Sequence, residues 1–343
     1  MKVCLKMNEP LFEISKSKVL EKYENLRKQN LIVSYSIKTN PLITSILEEN
    51  TDSLFSVHFE NELEFVKDKG KVIFLLQGTD EKFLKKLVDL GITNFVVDNK
   101  EDLDVIEDFP EKNKLTIALR MKLKENSIFT EKYFVFGMNV DFVCKKVLEL
   151  KGKVKSIGIH FHRKTQNISE WSLKEELEDS LSLEVLKAID FINIGGGLPA
   201  DYKNSSAKYI DSVFLKINEL RKWLDSFNIK TIIEPGRYIA SNGILRTYVK
   251  AILNNNEIVV NASVYNTFPD TLVDNVKLLV ANEGKGKEYV IKGCTPCSLD
   301  MFRYSVKLEN VKIGDEIVFL NATAYNYYTD FCNLEKVKSE IVE

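Results

Sequence analysis

The chain predicts a (β/α)8 TIM barrel followed by an all-β domain, an α/β + β architecture that rests on three observations. From Lys16 to Ile233, eight short strand-like runs alternate with amphipathic stretches across brief connections, as in parallel strands linked by crossover helices. Beyond Gly236 the texture changes to short β-rich runs split by Asn, Gly, Asp and Lys turns, which reads as a second, all-β domain. One apolar run, residues 11–14, precedes the first barrel helix and is expected to join that β domain in space. The predicted boundaries are 15–235 for the barrel and 1–14 plus 236–343 for the β domain, and 343 residues can fill both.

In chain order, the barrel strands are read at 31–37, 53–57, 72–76, 94–97, 115–121, 154–161, 191–194 and 231–233. Between them, residues 81–90, 140–150, 173–188 and 210–227 place apolar side chains at i, i+3, i+4 spacing, one face of a helix. The β domain is read from runs at 247–252, 258–261, 276–280, 288–292 and 316–319. No internal repeat or low-complexity tract interrupts the series.

Composition excludes several function classes. Basic and acidic residues number 48 and 50, a net charge of -2, so nothing steers the protein toward nucleic acid or an anionic membrane. Residues 1–7 lack the apolar core of a signal peptide, and no apolar run approaches a membrane span. The five cysteines, Cys4, Cys144, Cys294, Cys297 and Cys332, are irregularly spaced. Cys294 and Cys297 form a C-x-x-C without the second pair that a zinc site requires. A soluble, cytoplasmic protein with reduced thiols and no metal is the expectation.

In a barrel of this kind the residues at the C-terminal ends of the strands do the chemistry. Lys38 closes the first strand-like run and meets the turn signal Asn40-Pro41. A lysine on a strand that points into a barrel leaves bulk water, which lowers its pKa and frees a neutral amine for Schiff-base chemistry. A surface lysine at a strand end reads the same locally. After the seventh strand, Gly195, Gly196 and Gly197 let backbone N–H groups converge on an anion without Cβ obstruction, or form a plain flexible turn. After the eighth, Glu234-Pro235-Gly236-Arg237-Tyr238 sets a carboxylate and a phosphate-seeking guanidinium side by side, or a simple salt bridge. On the sixth strand, alternation sends His160 and His162 to one face. With no acidic or cysteine ligand at matching spacing, one of them suits the flat face of an aromatic cofactor better than a metal. His58 reads as structural or as a pocket lining.

Together these segments resemble the fold-type III pyridoxal-phosphate-dependent decarboxylases, the group of ornithine, lysine, diaminopimelate and carboxynorspermidine decarboxylases with an alanine-racemase-like barrel. The resemblance runs through Tyr35-Ser36-Ile37-Lys38-Thr39-Asn40, Gly158 to His162, Gly195 to Pro199, Glu234 to Tyr238 and Ala324-Tyr325, in the family's order. It implies that Lys38 holds pyridoxal 5'-phosphate as a Schiff base and that His162 stacks on the pyridine. It implies that Glu234 pairs with the pyridine nitrogen and favours a quinonoid intermediate, hence α-decarboxylation. The glycine run, Gly236, Arg237 and Tyr325 would hold the phosphate, Thr165 would supply a hydroxyl, Arg120 would lie near the cofactor, and Glu62 matches an acid after the second strand. Related alanine racemases place an arginine at the nitrogen, so a racemase is a second reading. A catalytically inert regulator that binds the cofactor is a third.

The resemblance also implies a homodimer in which a cysteine of the partner subunit returns a proton. Against the family's pattern, Gly293 to Asp300 puts Pro296 where the cysteine belongs and Cys297 one place on, which makes Cys297 the candidate donor. The substrate is expected to be a basic or polyamine-like amino acid of the ornithine or lysine type, with Asp270 and Asp330 as contacts for a distal ammonium. Residues 261–270 lack the arginine that diaminopimelate enzymes carry in this stretch. Their Phe268-Pro269-Asp270 ending resembles carboxynorspermidine decarboxylases. Arg163 or Lys164 would bind a substrate carboxylate or face solvent.

Overall fold

The computed structural model describes residues 8–123, 136–163, 166, 169–254 and 256–343. Eight strands close into a parallel barrel: β2 Ile32–Ser36, β3 Leu54–Val57, β4 Val72–Leu76, β5 Asn94–Val97, β6 Thr116–Arg120, β7 Ser156–His160, β8 Phe191–Asn193 and β9 Lys230–Ile233. Strand β1, Leu11–Ser15, lies outside it. Runs such as Val72-Ile73-Phe74-Leu75-Leu76 are apolar throughout because barrel strands meet side chains on one face and helices on the other. Side-chain caps set the helix starts. Asp80 accepts from the Phe83 N–H at 2.7 Å, Asn99 from Asp102 at 2.8 Å and Asn139 from Asp141 at 2.9 Å.

The inward face of the barrel changes character along the strands. Ile73, Val96, Ala118, Phe191 and Ile232 form an apolar cluster. A cavity of about 220 Å³ is lined by Ile73, Ala118, Phe191 and Ile232 of this cluster with Ile32, Leu54, Thr116, Ser156 and Lys230 among others. At the opposite, C-terminal end the same faces carry Ser34, Ser56, His160, Asn193 and Glu234, all buried. Polar groups are thus gathered where barrel enzymes do their chemistry. Gly158 is required by packing, since a Cβ there would lie 2.6 Å from the Phe191 ring.

The expected single amphipathic stretch at 173–188 is two helices, Leu173–Ser180 and Leu183–Ala188. The break falls at Ser182, whose hydroxyl accepts from the Val185 N–H at 3.3 Å and restarts the helix. The other expected helices and barrel strands are present, with ends that coincide or shift by one or two residues.

The second unit is an eight-stranded sheet with β10 Ile244–Leu253, β11 Glu257–Val260, β12 Leu279–Val280, β13 Lys287–Lys292, β14 Met301–Leu308, β15 Glu316–Leu320 and β16 Lys338–Val342. The strand order is β12-β15-β10-β11-β13-β14, and β1 lies between β10 and β16. Strand β1 therefore joins this sheet, antiparallel to β10 and parallel to β16. Strand β10 serves two neighbourhoods: its first half pairs with β1 and β15, its second with β11, across a register shift between Val249 and Ala251. The core includes Phe302 and Phe319, stacked with centroids 4.6 Å apart. Strands β14 and β16 were not expected from the sequence, and three short helices, Arg237–Ala240, Val264–Thr267 and Asp270–Val273, interrupt what was read as all-β. This unit takes the chain up to Lys22, Pro199–Lys208 and Arg237–Glu343, and the barrel unit takes Tyr23–Leu198 and Tyr209–Gly236. The segment Pro199–Lys208 thus belongs with the β unit, where Tyr202 enters its core.

Candidate active site

Lys38 sits in a one-turn helix, Ile37–Thr39, directly after β2. The turn is fixed by the Tyr35 hydroxyl, which donates to the Asn40 carbonyl at 2.9 Å, and by the Ser36 N–H, which donates to the Pro235 carbonyl at 3.2 Å. Thr39 and Asn40 are buried while the Lys38 side chain is exposed at the barrel mouth. Barrel atoms around the stem displace water and lower its pKa, an effect that Glu234 and Glu62 oppose and Arg120 reinforces. The amine is both reachable and more readily neutral than a surface lysine.

Glu234 is buried and its carboxylate is fully engaged. The Ser56 hydroxyl donates to Oε1 at 2.8 Å, Asn193 Nδ2 donates to Oε1 at 2.9 Å, and His160 Nε2 lies 3.1 Å from Oε2. Behind Ser56, its hydroxyl pairs with that of Ser34 at 2.7 Å. Burial alone would raise the Glu234 pKa. The facing His160 and the bonds from His160, Asn193 and Ser56 outweigh burial and hold the carboxyl far below the usual range.

His162 follows β7 and is fixed by the glycine run: the Gly196 N–H donates to its Nδ1 at 3.0 Å. Crowding by protein, then the neighbouring His160, depresses its pKa to about 3, so the imidazole is neutral at pH 7. The Gly195 N–H donates to Asn193 Oδ1 at 2.9 Å. Two amides of the run therefore orient side chains in this structure. Gly195 and Gly197 have φ of +64° and +104°, where only glycine is unstrained, and a Cβ on Gly196 would lie 2.5 Å from the Glu234 carbonyl oxygen. A Cβ on Gly236 would lie 2.4 Å from Thr39 Oγ1, a buried hydroxyl. Glu62 accepts from the His58 N–H at 2.6 Å, and burial of His58 lowers its pKa. Arg120 pairs with Asp98 at 2.9 Å and lies over the Phe136 ring at 4.8 Å.

In the β unit, Arg237 is buried, bonded by Nη1 to Asp270 and by Nη2 to Asp274 Oδ2 at 2.8 Å. Its guanidinium lies 4.5 Å from the centroid of the Tyr325 ring. Asp270 is 3% exposed. In this structure its carboxylate, expected to meet a substrate ammonium, is paired with Arg237. Asp330, by contrast, is exposed and has no ion pair among the described residues. Cys297 Sγ lies 3.2 Å from the Tyr265 hydroxyl, and the Tyr265 ring stacks on Phe331 at 4.1 Å. Arg163 is buried and tied to Glu176, so it neither faces solvent nor is free for a substrate carboxylate. Lys164 and Thr165 lie outside the described residues.

Ser34, Ser56, Asn193 and the partnership of His160 with Glu234 were not singled out from the sequence. Their one signal was polar residues inside otherwise apolar strands, at positions alternation sends inward.

A family model described as "Pyridoxal-dependent decarboxylase, pyridoxal binding domain" matches residues 16–241. The chain belongs to the pyridoxal-dependent decarboxylases. It is an amino-acid decarboxylase whose cofactor is pyridoxal phosphate. Diaminopimelate decarboxylase of Aquifex aeolicus is 26% identical over 349 residues, covering 93% of this chain and 82% of that protein. A probable ornithine decarboxylase of Dictyostelium discoideum is 23% identical, covering 85% and 69%. The decarboxylase fold is shared with arginine decarboxylase of Paramecium bursaria Chlorella virus at a TM-score of 0.81 and 19% identity, covering 98% of this chain and 97% of that one. Lysine/ornithine decarboxylase of Vibrio vulnificus, solved with cadaverine, gives a TM-score of 0.79 at 19% identity, covering 97% and 94%. Among the described residues of this decarboxylase no helix is long and apolar enough to cross a membrane.

Proposed function

We propose that the decarboxylase acts on a basic or polyamine-like amino acid of the ornithine or lysine type, with the barrel site above as its reaction centre. The barrel residues fit a pyridoxal group chemically: an accessible amine of lowered pKa, a buried carboxylate and a neutral flat imidazole lie at one end of one barrel. Bound pyridoxal phosphate supplies a sink for the electron pair left when the α-carboxylate departs. Lys38 is the residue that would hold it covalently. Glu234, kept ionised by Ser56, Asn193 and His160, would keep a proton on the facing ring nitrogen. His162, locked by Gly196, would pack its uncharged face on the ring. Arg120 and Glu62 would set the charge around the amine. By the resemblance, the phosphate falls to the glycine run, Gly236, Arg237, Tyr325 and Thr165. Cys297 is proposed as the donor of the proton that replaces CO2.

The substrate class rests on Asp330. This exposed carboxylate, without an ion pair among the described residues, is one position from Phe331, whose ring packs on Tyr265 beside Cys297. A carboxylate so placed suits a distal ammonium. The Aquifex relative is a diaminopimelate decarboxylase, but residues 261–270 offer no cation for a second carboxylate. Carboxynorspermidine remains the alternative with an extended amine. A CO2-release screen over ornithine, lysine, arginine, diaminopimelate and carboxynorspermidine is expected to give the highest kcat/KM with lysine or ornithine. Asp330→Asn should then raise KM by about tenfold, the loss of one charge-assisted bond, with kcat nearly unchanged. Preference for diaminopimelate, or an unchanged KM, contradicts the assignment.

We further propose a homodimer with shared sites, as the resemblance implies. Mixing inactive Lys38→Ala and Cys297→Ala proteins is expected to restore about a quarter of wild-type activity if subunits assort at random and each site draws on both chains. No recovery despite demonstrated subunit exchange rules out sharing.

A further inference from the structure

We propose that Tyr265 is the positioning residue for Cys297, its phenol holding the sulfur and setting the acidity of the thiol. The inference rests on the reading of Cys297 as proton donor. Three contacts carry it. The Tyr265 hydroxyl lies 3.2 Å from Cys297 Sγ. The Tyr265 ring is fixed by stacking on Phe331, at 4.1 Å and 26°, so the hydroxyl is aimed rather than free to rotate away. The loop that bears Cys297 is anchored by Asp300, fully buried, which accepts from the Thr295 N–H at 3.0 Å, the Thr295 hydroxyl at 2.7 Å and the Val264 N–H at 2.9 Å. The Val264 bond ties that loop to the turn carrying Tyr265, so one carboxylate fixes both members of the pair.

The chemistry of proton return explains why such a partner is useful. When the thiol gives its proton to the substrate carbon, the S–H bond breaks, a C–H bond forms and the electron pair remains on sulfur. The Tyr265 O–H then donates to the thiolate and lowers the energy of that product. The proton is replaced on sulfur from solvent. The titratable and charged groups around the pair are Asp300 and Cys332. The direction of the shifts agrees: the Tyr265 bond holds Cys297 below the ordinary thiol value, and Tyr265 is pushed up to about 12 by Cys297.

The test uses the full-length protein with peptide-resolved mass spectrometry. The rate of Cys297 alkylation by iodoacetamide is followed against pH in wild type, in Tyr265→Phe, which keeps the ring and its stacking, and in Phe331→Leu. Loss of the hydroxyl is expected to raise the alkylation midpoint by about one pH unit, a tenfold slower reaction below the midpoint. Phe331→Leu should raise it by less. A midpoint unchanged in Tyr265→Phe overturns the inference, whatever happens to CO2 release. A raised midpoint with wild-type CO2 release upholds the pairing and instead overturns Cys297 as proton donor.

Discussion

Replacing Lys38 by alanine is expected to lower CO2 release by at least about 10³-fold, within the range a positioned catalytic group contributes, and to abolish visible absorbance by the bound cofactor. The side chain is exposed, so stability should change by no more than about 0.5 kcal/mol. Loss of activity without loss of fold therefore isolates the chemistry. Lys38→Arg should be equally inactive, because guanidinium keeps its proton where the lowered pKa of Lys38 lets the amine lose one. Spectrophotometry with a CO2 assay on each variant checks this, and a coloured, active Lys38→Ala protein contradicts it.

The second large effect belongs to Glu234. Glutamine in its place keeps the shape but cannot hold a proton on a facing ring nitrogen, and kcat should fall by about 10²- to 10⁴-fold. Alanine should also destabilise the fold by about 3–5 kcal/mol, since His160, Asn193 and Ser56 would lose a buried charged partner. Because its folded-state pKa is depressed, Glu234 contributes stability fully above the ordinary carboxylate value of 4.5 and loses it as pH falls below that value. Urea denaturation between pH 7 and 3 should show wild type losing more stability on acidification than Glu234→Gln. Equal slopes would remove Glu234 from the acid response.

Much of this was legible in the chain because parallel barrel strands are buried on both faces and read as uninterrupted apolar runs. Lys38, His162 and Glu234 could be found because each follows such a run. The network around Glu234 could not, since closure and register bring together Ser56, Asn193 and His160 from three separate strands. The pairing of Asp270 with Arg237 was hidden for the same reason: nothing local says that the two meet across 33 residues. Strand β16 escaped because it is exposed and partly charged, Lys338-Ser339-Glu340, and is held by pairing with β1 from the far end of the chain. The segment Pro199–Lys208 follows a barrel strand in sequence, and only tertiary packing assigns it to the β unit.

The proposed reaction requires Lys38 as the covalent anchor of the cofactor. Borohydride reduction of the cofactor-loaded protein, followed by peptide mass spectrometry, addresses that directly. The predicted result is one reduced pyridoxyl-phosphate adduct on the Lys38 peptide. An adduct on another lysine, or none on a protein that still releases CO2, would contradict it.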